Sequence, residues 1–157
     1  MKKVTLTREK IEALALAIDR LLQRKDLTKC VKFHYALVRN WKILEDIATA
    51  TQNSRKDKLE IYFTAVDEIR QKYTEERQKN QAPEKDTTAL SADKAQAFKD
   101  ELKVLNEKHK DDIAEVDALL AEEESLELYT VTLDMVPEEI TGKEMFDIDE
   151  LIIEEEK

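Results

Sequence analysis

From Lys29 to Lys79 the chain has neither glycine nor proline, and largely apolar side chains recur there at three- and four-residue steps: Leu37, Trp41, Leu44, Ala48, Thr51, Tyr62, Val66, Ile69 and Tyr73. Nothing in this stretch supplies the left-handed or fixed backbone angles of a tight turn, and the spacing is that of one helical face. A helix over 29–79 follows. The seam lapses across Thr51 to Lys58 (TQNSRKDK), which leaves a kink near 51–58, a loop or a fully exposed waist open. The whole chain shares this character. It has one Gly and two Pro in 157 residues, and 39% of its side chains are charged. That composition favours long polar-faced helices over a turn-rich sandwich or barrel.

A helix this long leaves an apolar stripe that needs a partner. Residues 80–90 contain Pro83 and are polar, so they read as a connection. A further helix is expected over 91–124, with Ala95, Phe98, Leu102, Leu105, His109, Val116 and Leu119 on one seam. Two stripes joined by a short link form an antiparallel hairpin. With its tip near Pro83, Tyr73 lies opposite Phe98 and Tyr62 opposite His109.

Before the hairpin, Val4-Thr5-Leu6 reads as a short strand, and Thr7 is the expected N-cap of a helix over 8–24. Glu9 sits in its first turn, and Ile11, Leu14, Ala15, Ile18, Leu21 and Leu22 form its apolar face. Asp26-Leu27-Thr28 is a break, with Thr28 the candidate cap of the next helix. After Glu124 the period becomes two, with Tyr129, Val131, Leu133 and Met135 alternating until Pro137, so a strand is expected over 126–136. A lone strand leaves its amides unpaired, and its expected partner is Val4 to Leu6. Thr141 to Glu144 has capping-box spacing, with a short helix expected over 141–153 and a frayed Glu154 to Glu156 end. The expected fold is mainly α and a single domain over 1–157. It comprises a long antiparallel helical hairpin, an N-terminal helix and a small two-stranded β pairing of the N- and C-terminal segments.

Charge is unevenly distributed. The net charge is -10, but residues 1–42 carry 11 basic and 4 acidic side chains, whereas residues 122–157 carry 2 and 14. The basic third offers Lys2, Lys3, Arg8, Lys10, Arg20, Arg24, Lys25, Lys29 and Lys32 to nucleic acid. The expected strand pairing folds the acidic quarter back beside these cations and neutralises them, so no direct nucleic-acid binding is expected. The longest apolar stretches, such as Ala13 to Ile18, fall far short of the roughly 20 residues of a membrane span, and no membrane association is expected. Cys30 has no internal disulfide partner, and the N-terminus has no leader pattern. A cytoplasmic setting is the expectation.

Catalytic and cofactor chemistry is closed largely by counting. A phosphate loop or dinucleotide fingerprint needs at least two glycines, and Gly142 stands alone. The same shortage removes a nucleophile elbow around Ser54, Ser91 or Ser125. Cys30 and His34 lie one helical turn apart without a second ligand pair, and neither histidine follows a Glu at the di-metal spacing. Asp111, Asp112 and Glu115, like Glu122 to Glu124, read as solvated helix faces. The aromatics Phe33, Tyr35, Trp41, Tyr62, Phe63 and Tyr73 read as core or interface rather than a base-stacking platform. No catalytic, cofactor or metal residue is assigned.

The order of a leading L-T-x-x-x-I/L helix, a long helix carrying Arg39-Asn40, the Asp93 to Leu102 helix, and a strand followed by V-P-E-E-I-T-G-K-E-M (Val136 to Met145) resembles small helical proteins of unknown function encoded by tailed bacteriophages. The resemblance implies a viral accessory protein, acting in the host cytoplasm, and no functional residues. The leading expectation is a non-enzymatic interaction or assembly protein with a protein partner. Homo-oligomerisation is one form, since seams longer than a small core covers would pair between chains. The alternative is an acidic inhibitor working from Glu122 onward as a nucleic-acid mimic or anti-defence protein. An enzyme built on His109 and nearby carboxylates comes third.

Overall fold

The computed structural model describes residues 1–79 and 91–153. The expected connection at 80–90 and the end beyond residue 153 lie outside the described residues. The domain expected over 1–157 is made of two compact units, one formed by residues 1–54 with 117–157 and the other by residues 55–116.

In the first unit, strand β1 (Lys2–Thr7) runs into helix α1 (Arg8–Leu22). Thr7 caps α1 as its spacing predicts, its hydroxyl accepting from Lys10 N at 3.3 Å. The helix stops at Leu22 rather than residue 24, because Arg24 adopts an extended backbone as the chain enters a tight 3-10 turn (Lys25–Lys29). Thr28 does not cap the next helix. Its hydroxyl donates back to the carbonyl of Lys25 at 2.8 Å, and helix α2 starts two residues later than expected, spanning Val31–Lys79. The helix is unbroken across 51–58, and Thr51 is fully buried with its hydroxyl donating to Ile47 O at 2.8 Å.

The first half of the α2 seam belongs to this unit's core. Phe33, Leu37 and Leu44 are sealed from solvent together with Ile11, Ile18 and Leu21 of α1 and Leu27 of the turn. Each fully buried Leu, Ile or Phe contributes about 1.5–3 kcal/mol of transfer free energy. The clustering of seven such side chains explains why α1 packs here rather than standing in water.

Val4 to Leu6 pair with the C-terminal region, as expected, but the partner strand starts earlier, and of the expected 126–136 only 126–128 take part. Strand β2 covers Glu123–Leu128 and runs antiparallel to β1, with Lys2 opposite Leu128, Val4 opposite Leu126 and Leu6 opposite Glu124. The alternating run from Tyr129 to Met135 is not the pairing strand. Only β3 (Val131–Thr132) is extended and paired, and it lies parallel to β4 (Ile152–Ile153). A 3-10 turn (Leu133–Met135) follows it.

Past its last rung at Leu128 the β1–β2 ladder gives way to a side chain of α2. The buried amide of Asn40 accepts from Tyr129 N at 2.7 Å and donates to Tyr129 O at 2.8 Å. A side chain thereby takes the place of the next strand residue. The short helix expected over 141–153 is also cut back. Helix α5 covers Gly142–Asp147, a 3-10 turn covers Asp149–Leu151, and the final residues join β4. Ile148 and Leu151 are fully buried, so the chain turns to insert both before pairing with β3.

The second unit is the helical hairpin. The distal half of α2 runs antiparallel to α3 (Ala92–Lys108), whose N-cap Ser91 accepts from Lys94 N. The single helix expected over 91–124 is instead two. His109 leaves helical angles (φ -106°, ψ 18°), and α4 spans Lys110–Ala121. The acidic run at Glu123 and Glu124 is strand, because those residues supply rungs to β1. Across the hairpin the expected register holds. The rings of Tyr73 and Phe98 meet edge-to-face at 5.2 Å, and those of Tyr62 and His109 at 5.7 Å. No described helix is long and apolar enough to cross a membrane.

Candidate functional site: a groove between the first and last helices

The groove starts from α1 having two faces. Its inner face carries the core residues, while Leu16, half exposed, projects from the opposite side. Ala13 and Ala17 lie between the two faces and present only methyl groups, so the helix surface is shallow there. Against this strip the Thr141 capping box sets α5. Thr141 Oγ1 accepts from Glu144 N at 3.2 Å, and the Glu144 carboxylate accepts from Thr141 N at 2.9 Å.

Arg24 fixes that arrangement from the other side. Its guanidinium donates to both Glu144 oxygens at 2.8 Å, to the Glu139 carbonyl at 3.0 Å and to Asp26. Hydrogen bonding to Asp26 and then Glu144 raises the Arg24 pKa further above its ordinary range. The Glu144 carboxyl is held below its ordinary value, first by the Thr141 amide and then by Arg24. Asp26 is lowered by its hydrogen bond from Arg24.

Between the two helices lies a recess of about 410 Å³. Its floor is Ala13, Leu14 and Ala17, and its rim carries Leu16 and Phe146. A second recess of about 210 Å³ shares Ala17, Arg20 and Asp147 with the first and extends towards Leu21 and Lys143. Phe146 is 74% exposed on a six-residue helix pinned by a capping box and an arginine fork. Lys10 and Arg20 stand on the α1 wall, and Asp147, Asp149 and Glu150 on the other, with Lys10 and Glu150 paired at 3.5 Å. The groove therefore offers an apolar floor with both signs of charge along its edges.

The sequence reading did not single out this groove. Leu16 falls outside the periodic face of α1 and Phe146 outside the Met145, Ile148, Leu151, Ile152 line, so an off-face apolar residue on each helix was the available signal. Of the candidate residues that the sequence marks, Lys10 and Arg20 line the groove, and Arg39, Asn40, Cys30, His34 and His109 lie outside it. Arg39 donates to the Tyr129 hydroxyl at 2.8 Å and lies over its ring at 5.1 Å, while Tyr35 meets that ring edge-on. Together with Asn40, and with the Val136 to Met145 stretch held by Arg24, these residues fasten the C-terminal segment to the helices.

Cys30 precedes α2 and accepts His34 N through its carbonyl at 2.9 Å. His109 is nearly covered by Tyr62 and has Asp112 at 3.4 Å, and Glu115 pairs with Lys58. Among the described residues no group of three or more His, Cys, Asp or Glu is arranged to hold a metal ion. Of the basic set, Arg8 reaches Glu122 at 3.1 Å and Glu124 at 3.0 Å, while Lys10 and Arg24 take Glu150 and Glu144. The buried Nε of Arg8 lacks a well-aligned hydrogen bond despite the 3.1 Å approach, so that contact is chiefly Coulombic. No family model, curated protein or solved structure matches the chain.

Proposed function

We propose that this is a non-enzymatic interaction or assembly protein, in keeping with a phage-encoded accessory factor, and that its partner is another protein received in the α1–α5 groove. The observation that carries this reading is the exposed Phe146 ring and Leu16 on the rim of a floor made by Ala13, Leu14 and Ala17, with α5 held by the Arg24 fork and the capping box. An apolar floor between charged walls suits insertion of a partner's apolar side chains with polar groups along the rim. The mixed charges of the two walls match an amphipathic polypeptide better than a polyanion.

The same ion pairs weigh against the acidic-mimic reading. Glu122, Glu124, Glu144 and Glu150 already face the chain's own Arg8, Arg24 and Lys10, and so present less negative charge to an outside surface.

The test is affinity capture from the native cells with three baits: wild type, Leu16→Glu/Phe146→Glu, and a control Lys56→Glu on an exposed position outside the groove. A protein retained by wild type and control but lost with the groove variant supports the reading. Equal recovery on all three baits, or no stoichiometric partner on any of them, overturns it.

A further inference from the structure

The hairpin of residues 55–116 has a second apolar surface besides the seam that joins its helices. On α2, Ile61, Ala65 and Ile69 are spaced by four residues and form one ridge, and Ile61 is 75% exposed. On α3, Val104 is 70% exposed and borders a recess of about 390 Å³ that Ile69, Leu105 and Lys108 also line. Two helices alone hide only the seam between them. In this hairpin α3 has no buried residue at all, and among the described residues of the unit only Leu59, Val66, Tyr73 and Val116 are buried. Helical folds solve this by adding a second layer of helices.

The charges bounding the stripe say what that layer is. At one end Lys72 pairs with Glu101 at 2.7 Å, and at the other Lys58 pairs with Glu115. In both pairs the lysine is on the α2 side and the glutamate on the α3 or α4 side. We propose that a second copy of this chain covers the face, with a two-fold axis running along the hairpin, so that α2 of each copy lies over α3 of the other at the same level. Each lysine then faces a glutamate of the second copy, Lys72 against Glu101 and Lys58 against Glu115, and the Ile61–Ile69 ridge meets Val104 and Leu105. A two-fold across the hairpin sets Lys58 against Lys72 and Glu101 against Glu115 instead, and like charges oppose it. The product is a four-helix bundle whose inner face is apolar and whose edges are complementary. This surface is separate from the α1–α5 groove and does not depend on it.

Sedimentation equilibrium of the full chain tests the pairing. The expected result is a concentration-dependent dimer of twice the chain mass. Ile61→Glu/Val104→Glu, and the milder Ile61→Ser/Val104→Ser, should weaken it at least tenfold while keeping the far-ultraviolet helical signal. A strict monomer at high micromolar concentration, or a dimer unaffected by both variants, overturns the proposal. Cysteine crosslinking in a Cys30→Ala background tests the axis. Ile69→Cys chains mixed with Val104→Cys chains should give a mixed disulfide, with little product from either chain alone, whereas efficient Ile69–Ile69 crosslinking overturns the arrangement.

Discussion

Asn40 acts on the fold out of proportion to its size. It is fully buried, and both ends of its amide are occupied by the backbone of one residue, Tyr129. Removing it takes the partner from a part-buried backbone donor and acceptor, each at a cost of about 1–3 kcal/mol. Asn40→Ala is therefore expected to lose about 2–4 kcal/mol in urea unfolding, and Arg39→Ala, at an exposed contact, less than about 1 kcal/mol. Similar losses for the two would contradict this role. Carboxylates set the acid limit of stability. Glu144, Asp26 and Glu101 all have folded pKa values below their ordinary ones, Glu101 through hydrogen bonds from Lys72 and then Tyr73. A lowered folded pKa means stability that is fully present above the unfolded value, 4.5 for the two glutamates, and lost as pH falls through the folded one. The urea midpoint should be flat from pH 7 to about 5 and fall below about 4.5, with a shallower fall in Glu144→Gln. A midpoint unchanged at pH 3 would rule this out.

At the scale of elements, sequence spacing was most informative where the chain is regular. The Tyr73–Phe98 and Tyr62–His109 contacts lie eleven residues apart along each of the two arms of the hairpin, so that one pair in register brings in the other, because rise per residue is constant. Caps at Thr7 and Thr141 were legible because a hydroxyl or carboxylate acts within three residues. The strand boundaries were not, because they depend on a residue 89 positions away: the Asn40 amide ends the ladder at Leu128, and nothing near Tyr129 records it. Likewise α5 ends at Asp147 and the chain passes into a 3-10 turn with Ile148 and Leu151 buried, a change that their three-residue spacing, equally at home on an α-helix face, does not mark. Thr7→Ala should cost about 1 kcal/mol, the usual worth of an N-cap, and Leu128→Ala about 2–5 kcal/mol as a fully buried site. Thermal unfolding of the two variants checks the order, and a Thr7 effect equal to that of Leu128 would show that β1 and α1 are joined differently.

Over the whole molecule, charge polarity was legible and its use follows from the fold. The basic beginning and acidic end of the sequence meet as Arg8 with Glu122 and Glu124, Lys10 with Glu150 and Arg24 with Glu144. Exposed pairs of this kind add little stability singly, about 0–1 kcal/mol, but they favour the pairing of the correct segments. The candidate groove was not legible, because it arises only when α5 is carried across α1 by the strand pairing and the Arg24 fork. Its parts are single off-face residues that no periodic pattern marks. The most direct test of the account is in-cell photocrosslinking, with a photoreactive amino acid replacing Leu16 or Phe146 and, as control, exposed Lys56. The account predicts one dominant protein adduct from both groove positions and none from Lys56. Equal labelling from all three positions, or an adduct from Lys56 alone, would contradict it.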